Sequence, residues 1–530
     1  MGSNKKSPAA LAVAAGILLS RIAGLVRERV FAYYLGNSPS AGAFRAALRI
    51  PNLLQNLFGE GVLSASFIPV YARLHAEGKE EEAKCVASIT LALLVFVISL
   101  IVALGMTFSS DMISILAPGF EGWIRDLTVR LVYIMFPGTG LLVLSAWCLG
   151  ILNSHRKFFL SYFAPVVWNI TIITALIVGG RVLFKGDTHK NPFVEWIAWS
   201  TVLGAGLQFL VQLPLALKLN RGLLIPSMWL SGPIRMVIKN FFPALLARGV
   251  VQVSAFIDQV LASFLGAQAV SAMAYGQTIA LLPVSLFGMS ISSAELPEMS
   301  RALGTEESIA TLLRERLRRG LIRICFFIIP SVIAFLFLGD IVVSTLFQNG
   351  KFESTDSTFV WYILAGSTVG LLATTQSRLF VSALWALRDT RTPAKFASLR
   401  VILTALLGYA FTFPLKMRFS LSVAEAAAGL VASAGVAGWL EYLLIKKALT
   451  KRIGKVTGVL TYFLKYWAAG LGAGFVAFGC KMMVLELSPV PRGLLVLGLF
   501  GVLYLANAAM LGGEETLEIL APLVRRFRRA

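Results

Sequence analysis

This sequence has little charge for its length. Only 14% of its 530 residues are Asp, Glu, Lys or Arg, against about 25% in soluble domains. A soluble chain of this length divides into several domains, each with a polar surface, and there are too few charges here to coat them. A soluble enzyme and a disordered chain are both excluded. Cysteine and histidine are scarcer still. Cys85, Cys148, Cys325 and Cys480 stand far apart with no CxxC spacing, and His75, His155 and His189 are scattered. Neither a disulfide framework nor a metal cluster is expected, and no cofactor. Catalytic signatures are missing too. No HExxH or GxSxG occurs, and GFVAFGCK at 474–481 lacks the Gly-Lys-Ser/Thr ending of a nucleotide-binding loop. The chain is read as a non-enzyme.

What is present is apolar sequence: 57% hydrophobic residues and a mean hydropathy of +0.78. A membrane span needs about 20 mostly apolar residues. Fourteen segments qualify: 8–36, 41–73, 84–109, 127–153, 157–180, 193–218, 235–266, 269–299, 320–347, 357–387, 392–414, 422–446, 458–485 and 493–513. Polar residues and proline interrupt the second and eighth. The expected fold class is all-α, a polytopic membrane protein of about 14 transmembrane helices. Lys5 and Lys6 precede an apolar run that Arg21 interrupts, so the start reads as the first span rather than a cleaved leader.

The net charge is +21. In a soluble protein that points to nucleic acid; here it reads as basic loops on the cytoplasmic side. With the N-terminus inside, basic clusters at 314–323, 446–455 and 525–529 all fall inside, and few basic residues (Arg125, Arg181, Lys351 and Arg492 among them) fall outside. Both termini are therefore expected in the cytoplasm, with the tail Arg525–Arg526–Phe527–Arg528–Arg529 facing anionic lipid headgroups. No nucleic-acid partner is expected.

The chain echoes itself at a spacing of 230. Glu28-Arg29-Val30-Phe31-Ala32-Tyr33-Tyr34-Leu35-Gly36 lies over Asp258-Gln259-Val260-Leu261-Ala262-Ser263-Phe264-Leu265-Gly266, and Ile50-Pro51 and Phe58-Gly59 recur with indels as Leu282-Pro283 and Phe287-Gly288. Two six-span lobes, 1–222 and 223–450, are implied, with 451–530 holding the last two spans and the basic tail. Small residues four apart, Gly429/Ser433/Ala437 and Gly470/Gly474, favour close helix packing.

The chemistry sits in the first two spans. Span 1 holds Arg21, Arg27 and Glu28. Span 2 holds Arg45, Arg49, Asn52 and Asn56 in an i, i+4, i+7, i+11 pattern, one stripe of a helix. One arginine at mid-bilayer costs about 2.5–3.5 kcal/mol. Glu28 and Glu60 are too few to neutralise Arg21, Arg27, Arg29, Arg45 and Arg49, although Arg29 is expected to snorkel. A cationic cavity follows, and guanidinium forks fit phosphate oxygens. An ion-pair network without substrate is the competing reading. In span 7, Arg248 either adds a cation to the cavity or neutralises Asp258 or Glu295. Near the inner face, Arg378 reads as snorkelling and Glu441 as interfacial, while Arg400 lies deeper with no evident partner.

The stretch Ser20-Arg21-Ile22-Ala23-Gly24-Leu25-Val26-Arg27-Glu28, with Leu35-Gly36, Arg49-Ile50-Pro51-Asn52-Leu53-Leu54, Phe58-Gly59-Glu60-Gly61 and Ser64-Ala65-Ser66-Phe67-Ile68-Pro69, closely resembles the MurJ (MviN) family. So does Arg388-Asp389-Thr390-Arg391-Thr392-Pro393. The resemblance implies a lipid II flippase of the multidrug/oligosaccharidyl-lipid/polysaccharide exporter superfamily, in the bacterial inner membrane. Its cargo would be the undecaprenyl-pyrophosphate-linked peptidoglycan precursor, with Arg21, Arg27 and Glu28 at functional cavity positions. The sequence departs from the family pattern at Gly42, where Asp is common, at Gln55, where Arg is common, and in span 8, where Gln277 and Ala280 replace an Arg and an acid. Arg248 is the candidate substitute for that cation. A sodium site of some members would engage Asp258, but span 11 offers no Asp or Asn, so Na+, H+ and membrane potential all stay open as driving forces. A monomer is expected. Rival readings are a flippase for another polyprenyl-linked glycan and a multidrug exporter of the same superfamily.

Overall fold

The computed structural model describes residues 8–184, 191–223, 232–301 and 305–527, and no β-strand occurs among them. The chain resolves into two compact units, Met1–Ser271 and Ala272–Ala530.

Unit 1 contains α1 (Pro8–Leu35), α2 (Pro39–Leu54), a π-helical segment π1 (Gln55–Val62), α3 (Leu63–Ser66), α4 (Ile68–Ala76), α5 (Glu80–Thr107), α6 (Ser109–Leu116), α7 (Gly122–Ser154), α8 (Phe158–Val178), π2 (Gly179–Leu183), α9 (Asn191–Leu219) and α10 (Gly232–Phe264). Helix α11 (Ala267–Pro283) crosses the boundary. Unit 2 continues with π3 (Val284–Met289), α12 (Ser290–Ser300), α13 (Glu306–Phe337), α14 (Gly339–Phe347), α15 (Ser354–Ala386), α16 (Arg391–Thr412), α17 (Pro414–Arg418), α18 (Val423–Ile453), α19 (Val459–Met483) and α20 (Pro489–Phe527). Among the described residues, eleven helices are long and apolar enough to cross a membrane. The other three expected spans are helical as well: α1, the interrupted run from α2 to α4, and α10. These three carry the arginines of spans 1, 2 and 7.

Helix boundaries follow the local chemistry. Pro39 opens α2 behind Ser38, whose Oγ accepts from the Ala41 N–H at 3.2 Å. Ser422 and Glu425 form a reciprocal capping box on α18. At the C-terminal ends of α7, α9 and α15, Arg156, Arg221 and Arg388 adopt positive φ (58°, 54° and 61°). That left-handed closure usually falls to glycine. Here arginine takes it, placing a cation at the negative end of each helix dipole.

Two of the three π segments sit at repeated positions. Pro51 precedes π1 and Pro283 precedes π3, each with a Phe-Gly inside (Phe58-Gly59 and Phe287-Gly288). Proline removes a backbone donor, and i→i+5 turns are one way a helix absorbs the defect. The sequence echo therefore has a structural counterpart in both interrupted spans.

Polar and aromatic contacts knit each unit. In unit 1, Trp147 is fully buried and its indole donates to the Ala87 carbonyl at 3.1 Å, while Gln208 donates to Ser145 (3.0 Å) and Ser145 to Gln212 (3.1 Å) between α7 and α9. In unit 2, the Tyr504 hydroxyl donates to the Phe326 carbonyl at 2.5 Å, and Lys481 pairs with Asp340 at 2.8 Å, docking α19 and α20 on α13 and α14. Glycine permits close approach: a Cβ on Gly370 of α15 would meet the Gly435 Cα of α18 at 2.5 Å.

Candidate functional site: an arginine-rich cluster in unit 1

Glu28 projects from the C-terminal part of α1 and is the hub. Arg27, its chain neighbour, donates Nη2 to Glu28 Oε1 at 2.7 Å; Arg45, from α2, donates Nη2 to Oε2 at 2.7 Å. The side chains are 19%, 11% and 10% exposed for Arg27, Arg45 and Glu28. Both carboxylate oxygens are thus satisfied by charge-assisted bonds, yet two guanidiniums share one negative charge. Aromatic plates back both cations. The Arg27 guanidinium lies 4.9 Å from the Trp168 ring of α8, and that of Arg45 lies 4.8 Å from Phe31. Contacts of this kind contribute about 0.5–2 kcal/mol. Trp168 is itself fixed by its indole N–H to the Thr201 carbonyl at 3.1 Å, and Phe31 by Phe44 at 5.2 Å.

One helical turn on, Arg49 donates Nη2 to the Ala255 carbonyl of α10 at 3.1 Å and feels the charge of Asp258. Asp258 lies three residues beyond Ala255 on α10. Glu295, the other proposed counter-ion for Arg248, pairs instead with Arg316 at 3.5 Å. Arg248 itself lies in α10, but its side chain falls outside the described set, as does that of Glu60. Arg21 is exposed on α1 and makes no ion pair among the described residues. Asn52 is half-buried. Asn56 is exposed and falls inside π1; the stripe assumed α geometry throughout, and its register drifts once the wider turn begins.

The sequence reading put Arg27, Glu28 and Arg45 at one level, and the three are in contact. It missed Trp168 and Phe31, whose role depends on ring orientation rather than residue type. It also left the departure at Gly42 unexplained. A Cβ there would lie 2.0 Å from the Ala267 carbonyl oxygen, so an aspartate has no room. The Arg388–Pro393 motif proves to be a cap. Asp389 accepts from the N–H groups of Arg391 (3.1 Å) and Thr392 (3.0 Å) and from the Thr392 hydroxyl (2.7 Å), and pairs with Arg452 at 2.6 Å.

An all-helical membrane bundle in which two arginines share one buried carboxylate defines a class, that of polytopic transport proteins, and solved structures share the fold. An inward-facing multidrug resistance MATE family transporter of the MOP superfamily aligns with a TM-score of 0.63 at 17% identity, over 84% of this chain and 99% of that one. A structure described as "Lipid II flippase MurJ, inward closed conformation" aligns at 0.77 and 22% identity, over 97% of this chain and all of the other. In sequence, the family profile described as "Lipid II flippase MurJ" matches residues 31–496. The lipid II flippase MurJ of Burkholderia cenocepacia is 32% identical over 473 residues, 87% of this chain and 88% of its own. The probable lipid II flippase MurJ of Rhizobium tropici is 28% identical over 545 residues, 97% and 96% of the two chains. The chain belongs to the MurJ family.

Proposed function

We propose that this protein is a lipid II flippase: a transporter, not a catalyst, that carries the undecaprenyl-pyrophosphate-linked precursor from the inner to the outer leaflet of the bacterial cytoplasmic membrane. The observation that carries the reading is the two-to-one ratio of arginine to carboxylate at Glu28, in a chain whose relatives bear that name. A multidrug cation exporter would want surplus acid at this place.

The chemistry follows from charge. A pyrophosphate cannot enter hydrocarbon bare. Arg27 and Arg45, held by Glu28 and backed by rings, are pre-oriented donors. Arg21, exposed on the same helix, and Arg49 extend the basic track, with Asn52, Asn56 and Arg248 as further contacts. In this reading the lobes 1–222 and 223–450 alternate access around the head group, bending near Pro51 and Pro283. The polyprenyl tail stays in lipid, and 451–530 forms an appendage. Asp258 is the proposed coupling site for Na+ or H+, and membrane potential contributes about 2.3 kcal/mol per charge per 100 mV. Both termini are cytoplasmic, the basic tail lies on anionic headgroups, and the working form is a monomer.

The test is translocation of lipid II in reconstituted vesicles. Wild type is expected to move it, and Arg27→Ala to lose most of that activity while remaining folded. A wild-type rate no greater than that of empty vesicles would overturn the proposal.

A further inference from the structure

Unit 2 holds a second set of ionised side chains at membrane depth. Helices α15 and α16 both pack along α18 while touching each other little, which leaves a groove floored by α18. Trp439 of α18 locks one wall by donating its indole N–H to the Val369 carbonyl of α15 at 2.7 Å. Glu441 lies in the floor with its side chain 8% exposed, and Arg400 of α16 donates Nη1 to it at 3.0 Å while staying 36% exposed. From the opposite wall, Arg378 of α15 is level with Glu441, between the Thr374–Gly438 contact and the Phe380–Tyr442 ring pair that join α15 to α18. Arg378 is exposed, and its guanidinium makes no hydrogen bond or ion pair among the described residues.

At 1.5 Å per residue, Arg378, Arg400 and Glu441 lie about 12, 2 and 5 Å from the midpoints of their helices, inside a hydrocarbon half-thickness of about 15 Å. Snorkelling accounts for a lone arginine near the inner end of a helix. It does not account for a buried carboxylate that anchors one guanidinium and leaves a second across the groove. As at Glu28, two cations share one anion, and the uncompensated charge is on the open side. Trp385, seven residues after Arg378 and so on its face, is 49% exposed, an aromatic suited to the headgroup level.

We propose that the Arg378–Arg400–Glu441 groove binds the phosphate oxyanion of a lipid. Arg378 supplies a bidentate fork, and Arg400, oriented by Glu441, supplies a second. The oxyanion is either the pyrophosphate of a polyprenyl carrier, a source that rests on the function proposed above, or a phospholipid headgroup, which does not.

The experiment uses the full chain in neutral detergent micelles and measures binding of polyprenyl pyrophosphate and of phosphatidylglycerol by native mass spectrometry. Arg378→Gln is expected to weaken at least one of them tenfold or more, and Arg378→Lys, which keeps the charge without the fork, to weaken it by less. Which probe responds identifies the source. Wild-type affinity of Arg378→Gln for both probes would overturn the proposal. A folding defect is separated by the lysine variant and by the unfolding midpoint in the same micelles. Failure of translocation with the Arg378-dependent binding intact would remove the flippase reading and leave this one standing.

Discussion

Arg45 reaches Glu28 across the α1–α2 interface at 2.7 Å, taking the carboxylate oxygen that Arg27 leaves open. The pair ties two helices together. Glu28→Gln therefore removes the carboxylate that Arg27 and Arg45 share, in a site about nine-tenths covered. Breaking a buried pair by removing one partner costs about 3–5 kcal/mol. Thermal unfolding of the detergent-solubilised variant should fall accordingly. Arg27→Gln leaves the Arg45 bond in place and should lose about half as much or less, while losing translocation.

Gly42 tests how closely α2 approaches Ala267. Because the added Cβ alone would lie 2.0 Å from a backbone carbonyl, Gly42→Ala and Gly42→Asp should both destabilise, by at least about 1–3 kcal/mol. The alanine variant carries no charge. If unfolding midpoints show it neutral and only the aspartate harmful, the approach is not what excludes a side chain.

Asp389 caps α16, and Asp→Ala at such positions costs about 1 kcal/mol. The Thr392 N–H and hydroxyl, and beyond them Arg452, hold its carboxyl below the usual aspartate range. A depressed folded value means that the stabilisation is present above the ordinary aspartate range and is lost as pH falls through the folded value. Unfolding midpoints of wild type and Asp389→Ala should differ at neutral pH and converge in acid.

His155 lies just past α7, its ring 4.2 Å from that of His75 and its Nε2 3.1 Å from the Tyr71 hydroxyl, which donates on to Asn220 Oδ1 at 3.3 Å. Burial first, then the charges of His75 and Lys157, hold the imidazole below its ordinary value, with Glu80 opposing. The sign is the same as for a depressed carboxyl: the contribution is present above the ordinary histidine range and fades as pH falls through the lowered folded value. Between about pH 8 and pH 5, wild type should lose stability faster than His155→Gln. Parallel curves would show that this ring does not titrate against folding.

The limits of the sequence reading are visible in particular residues. Arg21, Arg27, Arg45 and Arg49 announced themselves because a guanidinium in an apolar run is conspicuous whatever surrounds it. Asn56 falls inside the π segment that follows Pro51, where the turn is wider than the α periodicity on which the stripe rested. Arg400 had no evident partner because Glu441 lies on another helix, and Trp168 looked like any buried tryptophan.

By itself the sequence determined the class and the cast: an all-helical membrane protein, its family, the two spans that carry cations, and the repeat marked by Pro51 and Pro283. Those follow from hydropathy, periodicity and motif, which are properties of neighbouring residues. Only the tertiary structure decided which acid answers which base. Arg45 finds Glu28 at a separation of 17 residues, Arg400 finds Glu441 at 41, and Arg49 meets the Ala255 carbonyl at 206. Such pairings depend on how helices pack against one another, and in a medium without free water the packing also fixes which charges are left over.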